Sequence, residues 1–228
     1  MFATIPPPPQ RLLVFARVPE LGRVKTRLAN SIGDDKALAV YDAMLRDLLV
    51  SIGAANDVLE IEVMWAPTHA ANGESLRRAF NNHHLAMQTG ETLGDRIAMA
   101  FSERFFFHRT EKIIAIGVDD PRLTREAIDH AFALLDSCEW VIGPASDGGY
   151  YLIGCRAAAF DSSVFRDVEW GSDAVLRITM ERIRQREQTI AVLPLRHDID
   201  REEDLRRFAS VPGDGALPAL LREWGWAA

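Results

Sequence analysis

Leu12-Leu13-Val14-Phe15-Ala16 runs directly into Arg17-Val18-Pro19-Glu20-Leu21-Gly22-Arg23-Val24-Lys25-Thr26-Arg27-Leu28, and this junction decides the fold class. The first five residues form a short, unbroken apolar run, the pattern of a strand buried on both faces. Its end in a polar, glycine-bearing stretch is how a strand of an α/β sheet opens into a loop. Working outward, Leu38, Tyr41, Leu45, Leu48 and Ile52 recur at three- and four-residue steps, predicting a helix over Asp34–Ile52 with Asp34 as its N-cap.

The alternation then continues. Residues 58–65 read as a strand, 73–80 as a short helix and 85–87 as a brief apolar run. A second amphipathic helix over 92–107 carries Ile97, Ala100, Phe101 and Phe105 on one face. Residues 113–116 predict another strand, and 124–135 a helix capped by Thr124 with Glu126 and Asp129 early in it. Strands are expected at 140–142, 151–153 and 190–195, and helices at 175–183 and 201–208. Strands alternating with helices imply a three-layer α/β/α fold with a mostly parallel central sheet. Pro6 to Pro9 mark residues 1–10 as an extended tail, leaving 11–228 as one domain.

Composition narrows the function. The 228 residues carry 26 Lys+Arg against 33 Asp+Glu, a net charge of −7, which argues against a partner bound through a nucleic-acid backbone. The two cysteines, Cys138 and Cys155, lack zinc or redox spacing, and His69, His83, His84, His108 and His130 share no metal-binding helix face. No run approaches the roughly 20 apolar residues of a membrane span, and no signal peptide is visible, so a cytoplasmic protein is expected. The Phe105-Phe106-Phe107 run and Trp224 with Trp226 read as core or as contacts between subunits.

In open α/β sheets ligands bind beyond the carboxyl ends of the strands, so the loops there hold the candidate chemistry. Arg17, Arg23, Lys25 and Arg27, beside Gly22, suit the phosphates of a nucleotide, although a solvated surface turn would look similar. The spacing is neither a Walker A loop nor Gly-x-Gly-x-x-Gly. Gly117-Val118-Asp119-Asp120-Pro121 places two carboxylates past a buried strand, where a magnesium ion would bridge protein and phosphate; a turn entering a helix is the competing reading.

Gly143-Pro144-Ala145-Ser146-Asp147-Gly148-Gly149-Tyr150-Tyr151 can form a tight hairpin or lay backbone against a flat ligand, and its length favours the second. Ser172 serves as an N-cap or as a ligand-facing hydroxyl. In His197-Asp198-Ile199-Asp200, Asp200 reads as the cap of the next helix and Asp198 as the freer cation ligand.

Four segments together carry a resemblance: GRVKTRL (22–28), GVDDPRLT (117–124), GPASDGGYYLIG (143–154) and LPLRHDIDREEDL (193–205). In this order they resemble the bacterial selenodomain-associated, or glycosyltransferase-like, transferases of the nucleotide-diphospho-sugar transferase superfamily, which has a GT-A type fold. The pattern is similar to the phospholactate guanylyltransferases and, more distantly, to the molybdenum cofactor guanylyltransferases, and covers about 12–205. The resemblance implies that Lys25 and Arg27 hold nucleotide phosphates, that Asp119 is the main metal carboxylate and that Asp198 and Ser172 complete a site for Mg2+ or Mn2+. Asp147, Gly148 and Gly149 are then expected to shape the nucleotide or acceptor side of the pocket. Val118 and Asp120 depart from the small residue and the cysteine or serine usual at those positions.

The expected activity is metal-dependent nucleotidyl transfer from a nucleoside triphosphate to a small phosphate- or carboxylate-bearing acceptor, with Lys25 and Asp119 as the catalytic pair. Glycosyl transfer from a nucleotide-diphospho-sugar is the alternative, and a non-catalytic nucleotide-binding protein is a third reading. A homodimer is compatible with each.

Overall fold

A computed structural model of the chain describes residues 10–53, 56, 58–67 and 84–226. The Pro6 to Pro9 tail, the helix expected over 73–80, and His69 and His83 lie outside the described residues.

The elements run β1 (Gln10–Ala16), α1 (Thr26–Ile32), α2 (Asp34–Ile52), β2 (Leu59–Trp65), β3 (His84–Met87), α3 (Leu93–Phe107) and β4 (Lys112–Ile116). They continue through α4 (Arg125–Leu134), β5 (Trp140–Pro144), β6 (Tyr150–Arg156), α5 (Val175–Arg184), β7 (Ile190–Val192), α6 (Glu202–Ala209) and α7 (Ala216–Glu223). The strands make one sheet in the order β3-β2-β1-β4-β6-β5-β7. Strand β6 is antiparallel to both its neighbours, β4 and β5, whereas the other pairings are parallel.

The unbroken apolar run of β1 follows from its central place. Leu12 and Val14 face one layer, with Leu45, Leu48 and Ile52 of α2 and Ile128 and Phe132 of α4. Leu13 faces the other, with Ile97 and Phe101 of α3 and Ile183 of α5. Leu12, Leu13 and Val14 are fully buried, each contributing about 1.5–3 kcal/mol over an exposed position. A third apolar cluster joins Leu28 of α1, Val40 and Met44 of α2, Ile199, Leu205 of α6 and Leu217 and Leu221 of α7. Trp224 and Trp226 are partly buried against it, with Lys36 and Arg206 over their respective rings.

Several local expectations are corrected. Gly33, not Asp34, is the N-cap of α2. Of the three consecutive phenylalanines only Phe105 packs into the core; Phe106 and Phe107 are largely exposed. Residues 145–149 do form a hairpin, because β5 and β6 pair antiparallel and Ala145 donates its amide to the Gly149 carbonyl at 3.0 Å. Helices α1 and α7 have no counterpart among the expected elements.

At the amino-terminal end of β1 and β2, away from these loops, Arg11 and Arg104 pair with Glu60, Glu62 and Glu103. Arg11, Arg104 and Glu62 are almost completely buried. Both guanidinium groups share Glu62, so the opposite charges offset one another in this low-dielectric setting.

Candidate functional site

The carboxyl ends of β1, β4, β5 and β7 open on one edge of the sheet, because these strands all point the same way. Only the antiparallel β6 starts there, and the hairpin leading into it adds one more loop to that edge. Four segments far apart in sequence thus meet: 17–25, 117–124, 145–149 and 193–200.

Lys25 is at their centre. It is the N-cap of α1 and adopts left-handed backbone angles (φ 48°), a conformation that costs a lysine on the order of 1–3 kcal/mol and persists only where surroundings impose it. Its side chain is 4% exposed, and Nζ donates to Asp119 Oδ1 at 2.5 Å and to Asp200 Oδ1 at 3.1 Å. Burial alone would lower the pKa of this ammonium, yet the charges of Asp119 and Asp200 prevail and hold it above its ordinary value. Arg27 adds a longer contact with Asp200, at 3.6 Å.

Asp198 joins the same cluster. Its carboxyl is pushed up to about 7 by burial first, then by the charges of Asp119, Asp147 and Asp200, with Lys25 opposing them. A carboxylate surrounded by three others and balanced by one ammonium is short of positive charge. Oxygen donors in that state suit a hard divalent cation such as Mg2+ or Mn2+. Among the described residues no three His, Cys, Asp or Glu side chains converge closely enough to grip an ion as they stand. The ammonium of Lys25 lies between Asp119 and Asp200 instead. A cation held by Asp119 and Asp200 would have to displace Lys25 Nζ from between them; Asp198 is the further carboxylate whose charge is felt there.

The pH dependence of Asp198 provides a test. Its folded-state pKa lies above the 3.8 ordinary for an aspartate, so the neutral form contributes stability that is present at about pH 4 and lost as pH rises through about 7. Asp198→Asn is expected to raise the melting temperature at pH 8 by about 3–6 °C and to change it little at pH 4. Equal shifts in thermal melts at both pH values would contradict the crowded environment.

The other expected site residues are distributed as follows. Arg17, Gly22, Arg23 and Arg27 are exposed at the rim, Arg27 with its guanidinium toward Asp200. The backbone of Arg17 is fixed from below: the buried Tyr41 hydroxyl accepts from its amide at 2.7 Å and donates to its carbonyl at 2.9 Å.

Asp147 and Gly149 form a local turn, Asp147 Oδ1 accepting from the Gly149 amide at 2.9 Å. Gly148 has φ +90° and lies against Asp173, where an added Cβ would fall 2.3 Å from the Asp173 carbonyl oxygen. This position thus requires glycine for packing, whatever else it contacts.

The expected metal role of Asp120 meets an obstacle. It is buried, its Oδ2 accepts from Arg196 at 2.8 Å and its Oδ1 from the Arg122 amide at 3.0 Å. Ser172 is not an N-cap, since α5 starts at Val175 after Ala174; its hydroxyl donates to the Glu169 carbonyl at 2.8 Å. Asp200 is not a cap either. Asp204 accepts from the backbone amides of Asp200 and Arg201 in that role, leaving the Asp200 carboxylate for Lys25. The Asp-x-Asp spacing was legible, but which aspartate caps depended on the acid three residues into α6.

The fold is shared with solved structures. A candidate nucleotide-diphospho-sugar transferase from Desulfovibrio desulfuricans G20 is 30% identical, with 95% of each chain covered and a TM-score of 0.89. The 4-diphosphocytidyl-2C-methyl-D-erythritol synthase of Anaerococcus prevotii DSM 20548 is 10% identical with a TM-score of 0.55, over 86% of this chain and 92% of that one. The bifunctional IspDF of Campylobacter jejuni is 13% identical with a TM-score of 0.53, over 87% of this chain and 53% of that one. The last two likenesses are of fold alone. Together they bear out the mixed, mostly parallel α/β fold of the nucleotide-diphospho-sugar transferases and nucleotidyltransferases. No curated protein matches the sequence. A family model described as "Uncharacterized protein conserved in bacteria (DUF2064)" matches residues 49–172. Among the described residues no helix is long and apolar enough to cross a membrane.

Proposed function

This chain belongs to the DUF2064 family of bacterial proteins, and from that premise we propose that it is a metal-dependent nucleotide-using transferase whose reaction is nucleotidyl transfer to a small anionic acceptor. The observation that carries the reading is the convergence of Lys25, Asp119, Asp198 and Asp200 at the carboxyl edge of the sheet. Exposed Arg17, Arg23 and Arg27 beside them supply cations for a polyphosphate. The likeness to a candidate nucleotide-diphospho-sugar transferase supports nucleotide use generally.

In the proposed step an oxygen of the acceptor attacks the α-phosphorus, the bond to the bridging oxygen of the β-phosphate breaks, and pyrophosphate leaves. An acceptor that is already an anion needs no general base. A divalent cation, when bound, would withdraw charge from the phosphate oxygens. Asp119, Asp198 and Asp200 would hold it, and the rim arginines would fix the triphosphate and offset the charge that builds on it. Lys25, held in place by the αL turn and by its own carboxylates, would lie beside the triphosphate. Catalysis of this kind is mostly positioning and preorganised electrostatics.

Glycosyl transfer is the second reading, favoured by the description of the 30% identical relative. The same charges would then stabilise a departing nucleoside diphosphate. Thermal melts and turnover assays with each nucleoside triphosphate and nucleotide-diphospho-sugar, with and without Mg2+, separate the readings. A ligand at 100 times its Kd should stabilise the protein by about 2.7 kcal/mol, which is several degrees for a chain of this size. Pyrophosphate release from a triphosphate is the expected result. Nucleoside diphosphate release from a diphospho-sugar would establish the second reading, binding without turnover would remove both, and no Mg2+-dependent shift with any ligand would sink the nucleotide assignment.

A further inference from the structure

Tyr41 sets a hydroxyl among the apolar residues Ala37, Val40, Leu45, Leu48 and Ile52 on the buried face of α2. The side chain is 2% exposed. Its hydroxyl spends both of its bonds on one residue, accepting from the Arg17 amide and donating to the Arg17 carbonyl. The peptide groups on either side of Arg17 are thereby pinned together, which an apolar ring of the same size could not do. Burial above all raises the phenol further above its ordinary value, so the group stays neutral and keeps both bonds at working pH.

Arg17 is the first residue beyond β1, at the carboxyl edge of the sheet, and its side chain is exposed. The loop it begins is fastened at two further points, Val18 and Val24, which are buried in the same apolar cluster as Tyr41. Between these anchors stand exposed Gly22 and Arg23. The Tyr41 hydroxyl feels both the charge of Asp119 and that of the Arg17 guanidinium. The pinned residue and the charge cluster around Lys25 therefore share one corner of the molecule.

An arginine that meets an anion gives up the freedom of a long side chain, and any freedom of the backbone beneath it is an added cost. A backbone held at both its amide and its carbonyl has already lost that freedom. We infer that Tyr41 is a positioning residue for polyphosphate binding, acting through the backbone of Arg17 and without touching the ligand. This rests on the proposed nucleotide-using reading. It requires no particular cation at the carboxylates.

The experiment uses the full chain with inorganic triphosphate as probe, read by isothermal titration calorimetry. Tyr41→Phe and Arg17→Gln should each weaken binding about 10-fold. Because Tyr41 acts only through Arg17, the double variant should bind no worse than the weaker single. In turnover with a nucleoside triphosphate, Tyr41→Phe should raise KM about 10-fold and change kcat less than about 2-fold, the signature of lost binding. The ring and its volume remain, so Tyr41→Phe should fold and melt within about 2–4 °C of the unaltered chain. Ile52→Val trims another buried residue of the same helix and should cost comparable stability while leaving triphosphate binding unchanged.

Equal losses of binding in Tyr41→Phe and Ile52→Val would reduce Tyr41 to a general support of α2 and overturn the inference. Losses that multiply to about 100-fold in the double variant would overturn it too, since Tyr41 would then act independently of Arg17. If Arg17→Gln weakens binding and Tyr41→Phe does not, the inference fails while the nucleotide reading stands. If the unaltered chain binds no triphosphate at millimolar concentration, the nucleotide reading fails and takes the inference with it.

Discussion

Asp119→Ala is expected to reduce turnover about 10²–10³-fold while the protein stays folded. The carboxylate sits at the end of β4, at the carboxyl edge of the sheet, and its side chain is 47% exposed. Losing it opens no cavity. Lys25 keeps a partner, since Asp200 remains 3.1 Å away, so the cost to the fold is small and the melting temperature should move by no more than about 2 °C. What disappears is the charge nearest the ammonium and one of the three carboxylates that would hold a cation. Asp119→Asn keeps an acceptor for Lys25 without the charge, and should lose nearly as much activity if charge is what matters. Both variants are assayed for release of pyrophosphate or nucleoside diphosphate, beside a thermal melt. Activity close to that of the unaltered chain in Asp119→Ala would remove this aspartate from the mechanism, whichever transfer the enzyme performs.

The sequence announces much of this arrangement because the elements that build it have local signatures. The run through Leu12, Leu13 and Val14 is apolar on both faces because β1 is covered on both, and the stripe through Leu38, Tyr41, Leu45 and Leu48 is the buried face of α2. Thr92 and Thr124 accept from the amides of Asp95 and Ala127 at the starts of α3 and α4, caps that can be read from a few adjacent residues.

The missed helices have no such signature. Helix α1 buries only Leu28 among its seven residues, and its N-cap provides no side-chain bond. Helix α7 is capped from a distance, Asp47 of α2 accepting from the amides of Ala216 and Leu217 at 2.6 and 2.8 Å. No local reading of residues 210–217 contains that partner.

The same distinction runs through the site. The types of residue needed were visible in four loops, because loops at one edge of a parallel sheet must meet and charges gathered there need a purpose. Their division of labour was not visible. Asp120 is taken up by Arg196, 76 residues away, and Asp200 is freed by Asp204 to reach Lys25, 175 residues away. Identity of side chain is a local property, whereas the choice of partner among several carboxylates is decided by packing.

Lys25 shows this most sharply, and replacing it should have the largest effect on stability. A lysine in a cation-rich loop reads as a phosphate ligand reaching into solvent, whose loss would weaken nucleotide binding alone. The actual side chain is 4% exposed and supplies the counter-charge for the carboxylates around it. Lys25→Met preserves the length of the chain and leaves Asp119, Asp198 and Asp200 without that charge. Removing one partner from a fully buried pair costs about 3–5 kcal/mol. Asp119 and Asp200 retain some access to water, at 47% and 33% exposure, so about 2–3 kcal/mol is expected at pH 8. The sign of the pH dependence follows from both sides of the pair. Because the Lys25 pKa is raised, its own contribution is complete below its ordinary value of 10.5 and is lost only at higher pH. Without it the Asp198 carboxyl climbs further, since Lys25 opposes its rise. A raised carboxyl group contributes stability at low pH that is lost as pH increases, so the deficit of Lys25→Met should be greatest at pH 8 and shrink toward pH 4. Millimolar Mg2+ should then stabilise the variant more than the unaltered chain, because the ion no longer competes with an ammonium for Asp119 and Asp200. A urea titration at pH 4 and pH 8, with and without Mg2+, measures all three effects. Unchanged stability at pH 8 would mean that Lys25 is a solvent-facing ligand after all and that the carboxylates are balanced by something else.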